Sequence, residues 1–175
     1  MKVSFTGSQS GMTPFQYVEL VQRLKDFGCT ELVNGYCIGS DEKSILAAVE
    51  AGVRIFTLYP SILRQKWAKV LGTPGKFEQW QTVELFTDLG NGPEKVTINY
   101  MFKNLRKPLE RNHLIVAESD QLIATPKEFS HTVRSGTWAT IRSGWHTKKK
   151  VLVIPPIDRE SVNGPGNNPA NSGPR

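Results

Sequence analysis

Residues 2–35, KVSFTGSQSGMTPFQYVELVQRLKDFGCTELVNG, decide the fold. KVSFTG reads as a strand that closes on Gly7, and the loop SQSGMT follows. Thr13 then suits an N-cap, and Pro14 suits the first helical position, where a missing N–H costs nothing. Phe15, Val18, Val21 and Leu24 recur at three-residue spacing, with Tyr17, Leu20 and Phe27 beside them. That spacing predicts an amphipathic helix, which Gly28 stops at its C′ position. TELVNG, residues 30–35, reads as a second strand. Two strands joined through a helix by short connections predict a parallel pair with a right-handed crossover.

The pattern repeats downstream. YCIGSDE is a loop, and Ser40 or Asp41 is the expected cap of a second helix, which buries Ile45, Leu46, Ala48 and Val49 and ends at Gly52. VRIFTLYP, residues 53–60, is a β-branched and aromatic third strand closed by proline. Order returns at Pro108, in the first turn of the helical PLERNHLIVAESD. A fourth strand at 121–126, a helix over SGTWATIRSGWHT and a fifth strand, KVLVIPP, follow. The sum is an α/β domain over residues 1–156. It is expected to be Rossmann-like and doubly wound, with a mainly parallel five-stranded sheet of order 3-2-1-4-5 and helices on both faces. Residues 61–107 read as an insertion. SILRQKWAKVLG has helical character, and the following stretch mixes turn signals with the alternating Val96, Ile98 and Tyr100, as in a hairpin, a lid or an oligomer contact. Residues 157–175, rich in Asn, Gly and Pro, are expected to form a flexible tail.

Composition excludes several classes. The chain has 175 residues, 38% of them hydrophobic and 22% charged, as an ordinary soluble domain does. No stretch reaches the roughly 18 apolar residues that span a bilayer, and the N-terminus is too short for a signal-peptide core. The expected location is the cytoplasm, with no membrane partner. Cys29 and Cys37 flank the second strand, and a reducing compartment disfavours their pairing. Two cysteines and three scattered histidines give no metal-ligand spacing, so neither metal nor cofactor is expected. The net charge of +6 is spread along the chain, and its one run, Lys148–Lys150, reads as a solubilising strand flank.

The chemistry is expected at the crevice where the strand order reverses. Three loops would meet there: GSQSGMT, NGYCIGSDE and TPKEFSHTVRSGT. Each holds glycine beside hydroxyl residues and runs into a helix N-terminus, whose free N–H groups and dipole favour an anion such as phosphate. Ser135, Gly136 and Thr137 are candidate cradle residues, Gly7, Ser8 and Gln9 face them, and Arg111 and Arg134 offer charge-assisted contacts. Neither G-x-G-x-x-G nor G-x-x-x-x-G-K-[ST] is present, which disfavours a dinucleotide dehydrogenase or a P-loop NTPase. Asp41 reads as a first-turn acid or a crevice acid, and Glu118 and Asp120 as structural acids at the far end of the sheet. His113 and His131 have no evident partner, and Trp138 and Trp145, seven residues apart, read as core or interface.

FTGSQSGMT, NGYCIGSDEKSILAAVEAGVRIFTLYP, ERNHLIVAESDQLIATP and RSGTWATIRSGWHTKKKVLVIPP, in that order, resemble the SLOG superfamily. This Rossmann-like group includes the DNA-processing protein DprA, the LOG hydrolases and nucleotide-sensing domains of bacterial defence. The likeness runs over 2–60 and 108–156 and is greatest to small, stand-alone, phage-type DprA-like proteins. It implies a ligand site at Gly7, Ser8, Gly39, Ser40, Asp41, Arg111, Asn112, Ser135, Gly136 and Thr137. Two departures matter. Gln9 stands where DprA-like chains carry Arg, and Thr140 stands where the P-G-G-x-G-T-x-x-E motif of LOG hydrolases places its glutamate. Threonine is no acid or base at neutral pH, so the resemblance implies holding more than cutting. The implied ligand is nucleotide-derived, either ADP-ribose-like or a cyclic or signalling nucleotide, and sequestering it would be a phage counter-defence. The alternatives are a LOG-like nucleotide N-glycosidase using Asp41 and DprA-like binding of single-stranded DNA. Relatives self-associate, and Trp67 and Trp80 fit a homo-oligomer or a lid.

Overall fold

The computed structural model describes residues 1–158; the tail expected at 157–175 lies, beyond Asp158, outside the described residues. The strands are β1 (Lys2–Gly7), β2 (Glu31–Asn34), β3 (Ile55–Leu58), β4 (Trp80–Asp88), β5 (Pro93–Phe102), β6 (Gln121–Thr125) and β7 (Lys150–Val153). The helices are α1 (Pro14–Asp26), α2 (Ser40–Glu50), α3 (Pro108–Glu118) and α4 (Gly136–His146). All seven strands join one sheet in the order β4-β5-β3-β2-β1-β6-β7. The five strands read from the sequence run parallel, as β3-β2-β1-β6-β7. The expected count of five is corrected by residues 61–107, whose hairpin extends this sheet. β5 pairs parallel with β3, and β4 antiparallel with β5. The alternation at Val96, Ile98, Tyr100 and Phe102 explains it, because all four side chains are buried in the main core.

The helix expected in 61–72 is absent; a single 3-10 turn, Arg64–Lys66, stands there. Tyr36 holds this segment in an irregular path. Its carbonyl accepts from the Ala68 N–H at 2.9 Å, and its hydroxyl accepts from the Leu71 N–H at 2.9 Å. Trp67 is buried, its indole donating to Ser61 O at 2.7 Å, so it is neither lid nor exposed contact.

Two layers of helix cover the sheet. α1 and α2 pack together over the face carrying Val3, Phe5, Leu32 and Ile123. α3 and α4 pack together over the face carrying Val33 and Ala124, the next residues along their strands. The Thr13 cap is realised as a capping box with Gln16. Buried Gln16 also donates to Pro126 O at 2.7 Å and Ile154 O at 3.0 Å, tying α1 to the ends of β6 and β7. Val18, counted in the apolar stripe, is exposed; Gln16 occupies the buried face instead. At the amino end of the sheet Asp120 accepts from the Lys2 N–H at 2.8 Å, and Glu118 pairs with the Lys2 ammonium and the Tyr59 hydroxyl.

Candidate functional site

A cleft of about 450 Å³ opens at the carboxyl end of β1. Its floor is 5–9, one wall is Gly35, Cys37 and Asp41, and the others are the first turns of α3 and α4 with Lys127 and Glu128. The β1 floor lies between β2 and β6, the point where the strand order reverses.

The wall after β2 is built by Asn34, which is fully buried. Its amide nitrogen donates to Asp41 O at 3.0 Å and Ser44 Oγ at 2.9 Å, and its carbonyl oxygen accepts from the Tyr36 N–H at 2.8 Å. These bonds fold the loop back over the start of α2. Asp41 is thereby set against the Cys37 N–H, which donates to its Oδ2 at 3.2 Å. Burial pushes the Asp41 carboxyl up to about 6, against the pull of Arg111 and of the Cys37 and Gly35 N–H groups. Burial likewise pushes the Cys37 thiol up to about 11, so it is no nucleophile at neutral pH.

Arg111 reaches across from α3 and donates to Gly35 O at 2.8 Å, while its buried Nε has no hydrogen-bond partner. A Cβ on Gly35 would lie 2.9 Å from Arg111 Cζ and 3.0 Å from Asp41 Oδ2. Glycine is therefore what lets guanidinium and carboxylate close on the same backbone. Across the cleft Ser135 caps α4, accepting from the Trp138 N–H at 3.3 Å. A Cβ at Gly136 would meet nothing within 4 Å. Thr140 lines the cleft too, with its hydroxyl donating back to Gly136 O at 3.1 Å.

The structure brings Gly7, Ser8, Gln9, Asp41, Arg111, Asn112, Arg134, Ser135, Gly136 and Thr137 together around this cleft. Gly39 and Ser40 lie outside its lining. The caps expected from Ser40 or Asp41 are corrected: Gly39 is the N-cap, no side chain bonds there, and Ser40 opens the helix. Gly39 is packed against the Gln9 backbone, and the buried Ser40 N–H donates to Ser8 O at 3.0 Å. α1 also turns away, its Thr13 hydroxyl donating to Pro156 O. The start of α3 takes the vacated place.

Lys127 and Glu128 were missed as individual residues; their place directly after a strand's carboxyl end was the available signal. Lys66 was missed as well. Its ammonium donates to Gln9 Oε1 at 3.0 Å, so the 61–107 segment brings a cation to the loop after β1. No sequence signal marked it. His131 lies outside the lining, beside Arg142 at 2.8 Å and edge-on to Trp138, and His113 bonds Ser143 Oγ at 3.0 Å. Trp138 is buried and packs on Trp145, with ring centroids 6.1 Å apart, so neither ring is free for base stacking in the cleft. No group of three or more potential metal-ligating side chains occurs among the described residues.

No family model matches the chain, and no curated protein matches it. A solved structure does: the molybdenum cofactor binding protein of the phototrophic bacterium Rippkaea orientalis, at a TM-score of 0.53 and 19% identity. The match covers 92% of this chain and 79% of that one. The chain shares the fold of that protein.

Proposed function

We infer that the cleft holds a phosphate-bearing, nucleotide-derived small molecule and releases it unchanged. The carrying observation is the cluster around Arg111, a cation with a buried, unpaired Nε, facing the open N-terminus of α4 across a cleft of about 450 Å³. Arg134 and Lys127 add positive charge to the same lining, and free helix N–H groups favour an anion. The volume lies in the range of small-molecule sites, roughly 300–1,000 Å³. The solved protein of like fold is a molybdenum cofactor binding protein, which supports binding of a small-molecule ligand here in general terms. The SLOG resemblance supports an ADP-ribose-like or signalling nucleotide and a sequestering role.

One observation favours cleavage as a second reading. Asp41 is a buried carboxyl raised to about 6 and lining the cleft, as a general acid in N-glycosidic hydrolysis would be. One experiment separates the two. The purified protein is incubated with AMP, ADP-ribose and cyclic nucleotides, denatured, and both fractions are analysed by mass spectrometry. Intact nucleotide in the bound fraction is the expected result. Release of free base that disappears in Asp41→Asn establishes cleavage, and neither retention nor cleavage of any of these ligands sinks both readings. Single-stranded DNA is tested separately, since its binding would weaken steeply with salt.

A further inference from the structure

The two edges of the sheet are built differently. β7 is four residues long and begins with the exposed Lys150, a short, charged edge of the kind that resists pairing. β4 is nine residues long, contains no Pro, Gly or Lys, and pairs with β5 in unbroken register with no bulge. Its outer edge is therefore a row of backbone groups without the Pro, Lys or bulge that commonly blunts one; its charges are Glu84 and Asp88. Its side chains alternate strictly between exposed and half-buried, and two exposed residues are large aromatics: Trp80 at 56% and Phe86 at 76%. Glu84 between them is neutralised by Lys95 of β5 at 2.9 Å.

We propose that β4 pairs antiparallel with β4 of a second copy about a two-fold axis at Val83, joining two sheets into one. The register follows from side-chain parity. Residues directly opposite in an antiparallel pair point to the same face, so the axis must pass through a residue rather than between two. An axis at Glu84 sets Glu84 against Glu84 and Trp80 against Asp88, a like-charge contact and a mismatch. An axis at Leu85 sets Glu84 against Phe86 and leaves Trp80 unpaired. An axis at Thr82 leaves Phe86 unpaired. The axis at Val83 alone sets Trp80 opposite Phe86, and by symmetry does so twice, with Thr82 opposite Glu84 between them. Aromatic cross-strand pairs are among the stabilising ones, and main-chain hydrogen bonds along the added strand supply the rest. The partner is a second copy because the strand is complementary to itself.

The test is mass by size exclusion with light scattering at about 100 µM, where a dimer of micromolar Kd is largely formed. The wild type is expected at twice the monomer mass, and the W80K/F86K double variant, altered only at exposed positions, at the monomer mass with its melting curve cooperative. Register is read separately with V83C. Opposed Cα atoms lie about 4.5–5.5 Å apart, inside the roughly 4.4–6.8 Å that a disulfide spans. Under mild oxidation V83C is expected to form a covalent dimer and Glu84→Cys to form little. A monomeric wild type overturns the proposal, as does a dimer that survives both lysines. Crosslinking through Glu84→Cys but not V83C overturns the register.

Discussion

The N-termini of α2 and α4 look alike in sequence, each a glycine beside hydroxyl residues after a strand, and they do different jobs. At α2 the space is filled by the chain itself. Gly39 has φ of +86°, and a Cβ there would lie 2.2 Å from Gln9 O. The Ser40 N–H is taken by Ser8 O, and no side chain caps the helix. At α4 the space is open: Gly136 is exposed, and a Cβ would meet nothing within 4 Å. One glycine serves close packing between two loops, and the other borders a cleft. A glycine beside a helix start therefore does not by itself mark a ligand.

Single substitutions break this contrast most sharply. Gly39→Ala combines a strained backbone, about 1–3 kcal/mol, with a main-chain clash of about 1–3 kcal/mol, and is expected to lower stability by about 2–6 kcal/mol in denaturant unfolding. A variant as stable as the wild type would show that the two loops are not packed as described. Gly136→Trp fills open space instead. Its unfolding midpoint should stay close to the wild type, while nucleotide affinity by calorimetry falls about a hundredfold or more, about 2.7 kcal/mol. Retained affinity would place the ligand away from α4.

Much of the scaffold was legible because its signals are local. The Thr13-Pro14 start, the glycine stops at Gly28 and Gly52 and the β-branched strands each depend on neighbouring residues. The cleft was legible to the extent that it follows from topology, since loops after adjacent parallel strands must meet where the order reverses. What failed depends on contacts between distant segments. Whether Gly39 faces a ligand is decided by Gln9, thirty residues earlier. SILRQKWAKVLG was denied its helix by Tyr36, whose buried hydroxyl bonds Leu71 and Gly72. The alternation in β5 was visible, but nothing local said that its partner would be β3. Arg111 was legible as a candidate cation, but nothing local said that its guanidinium would bond Gly35 O, 76 residues earlier.

Asp41 sharpens the comparison at an intermediate scale. Its carboxyl is raised from 3.8 to about 6 by burial. Between about pH 4 and pH 6 the folded chain thus binds more protons than the unfolded one, so this group lowers stability as pH rises through that window. Asp41→Asn keeps an oxygen for the Cys37 N–H and removes the titration. The wild-type stability should fall relative to the variant by about 2–3 kcal/mol between pH 4 and pH 7, measured by urea unfolding. Parallel pH profiles for the two proteins would mean that the carboxyl is solvated.

The smallest effect separates the two helix starts most directly. Ser135 and Ser40 each adjoin the glycine at the start of their helix, but only Ser135 has a bonded hydroxyl. Ser135→Ala removes the cap on the Trp138 N–H and should destabilise by about 1 kcal/mol, lowering Tm by about 2–4 °C. The Ser40 hydroxyl is fully buried with no hydrogen-bond partner. Deleting it relieves an unsatisfied polar group, so Ser40→Ala should leave stability unchanged or raise it. Differential scanning calorimetry on the two variants reads both signs. If Ser40→Ala is the more damaging, the α2 start depends on a bond that its hydroxyl makes, and the two N-termini are alike after all.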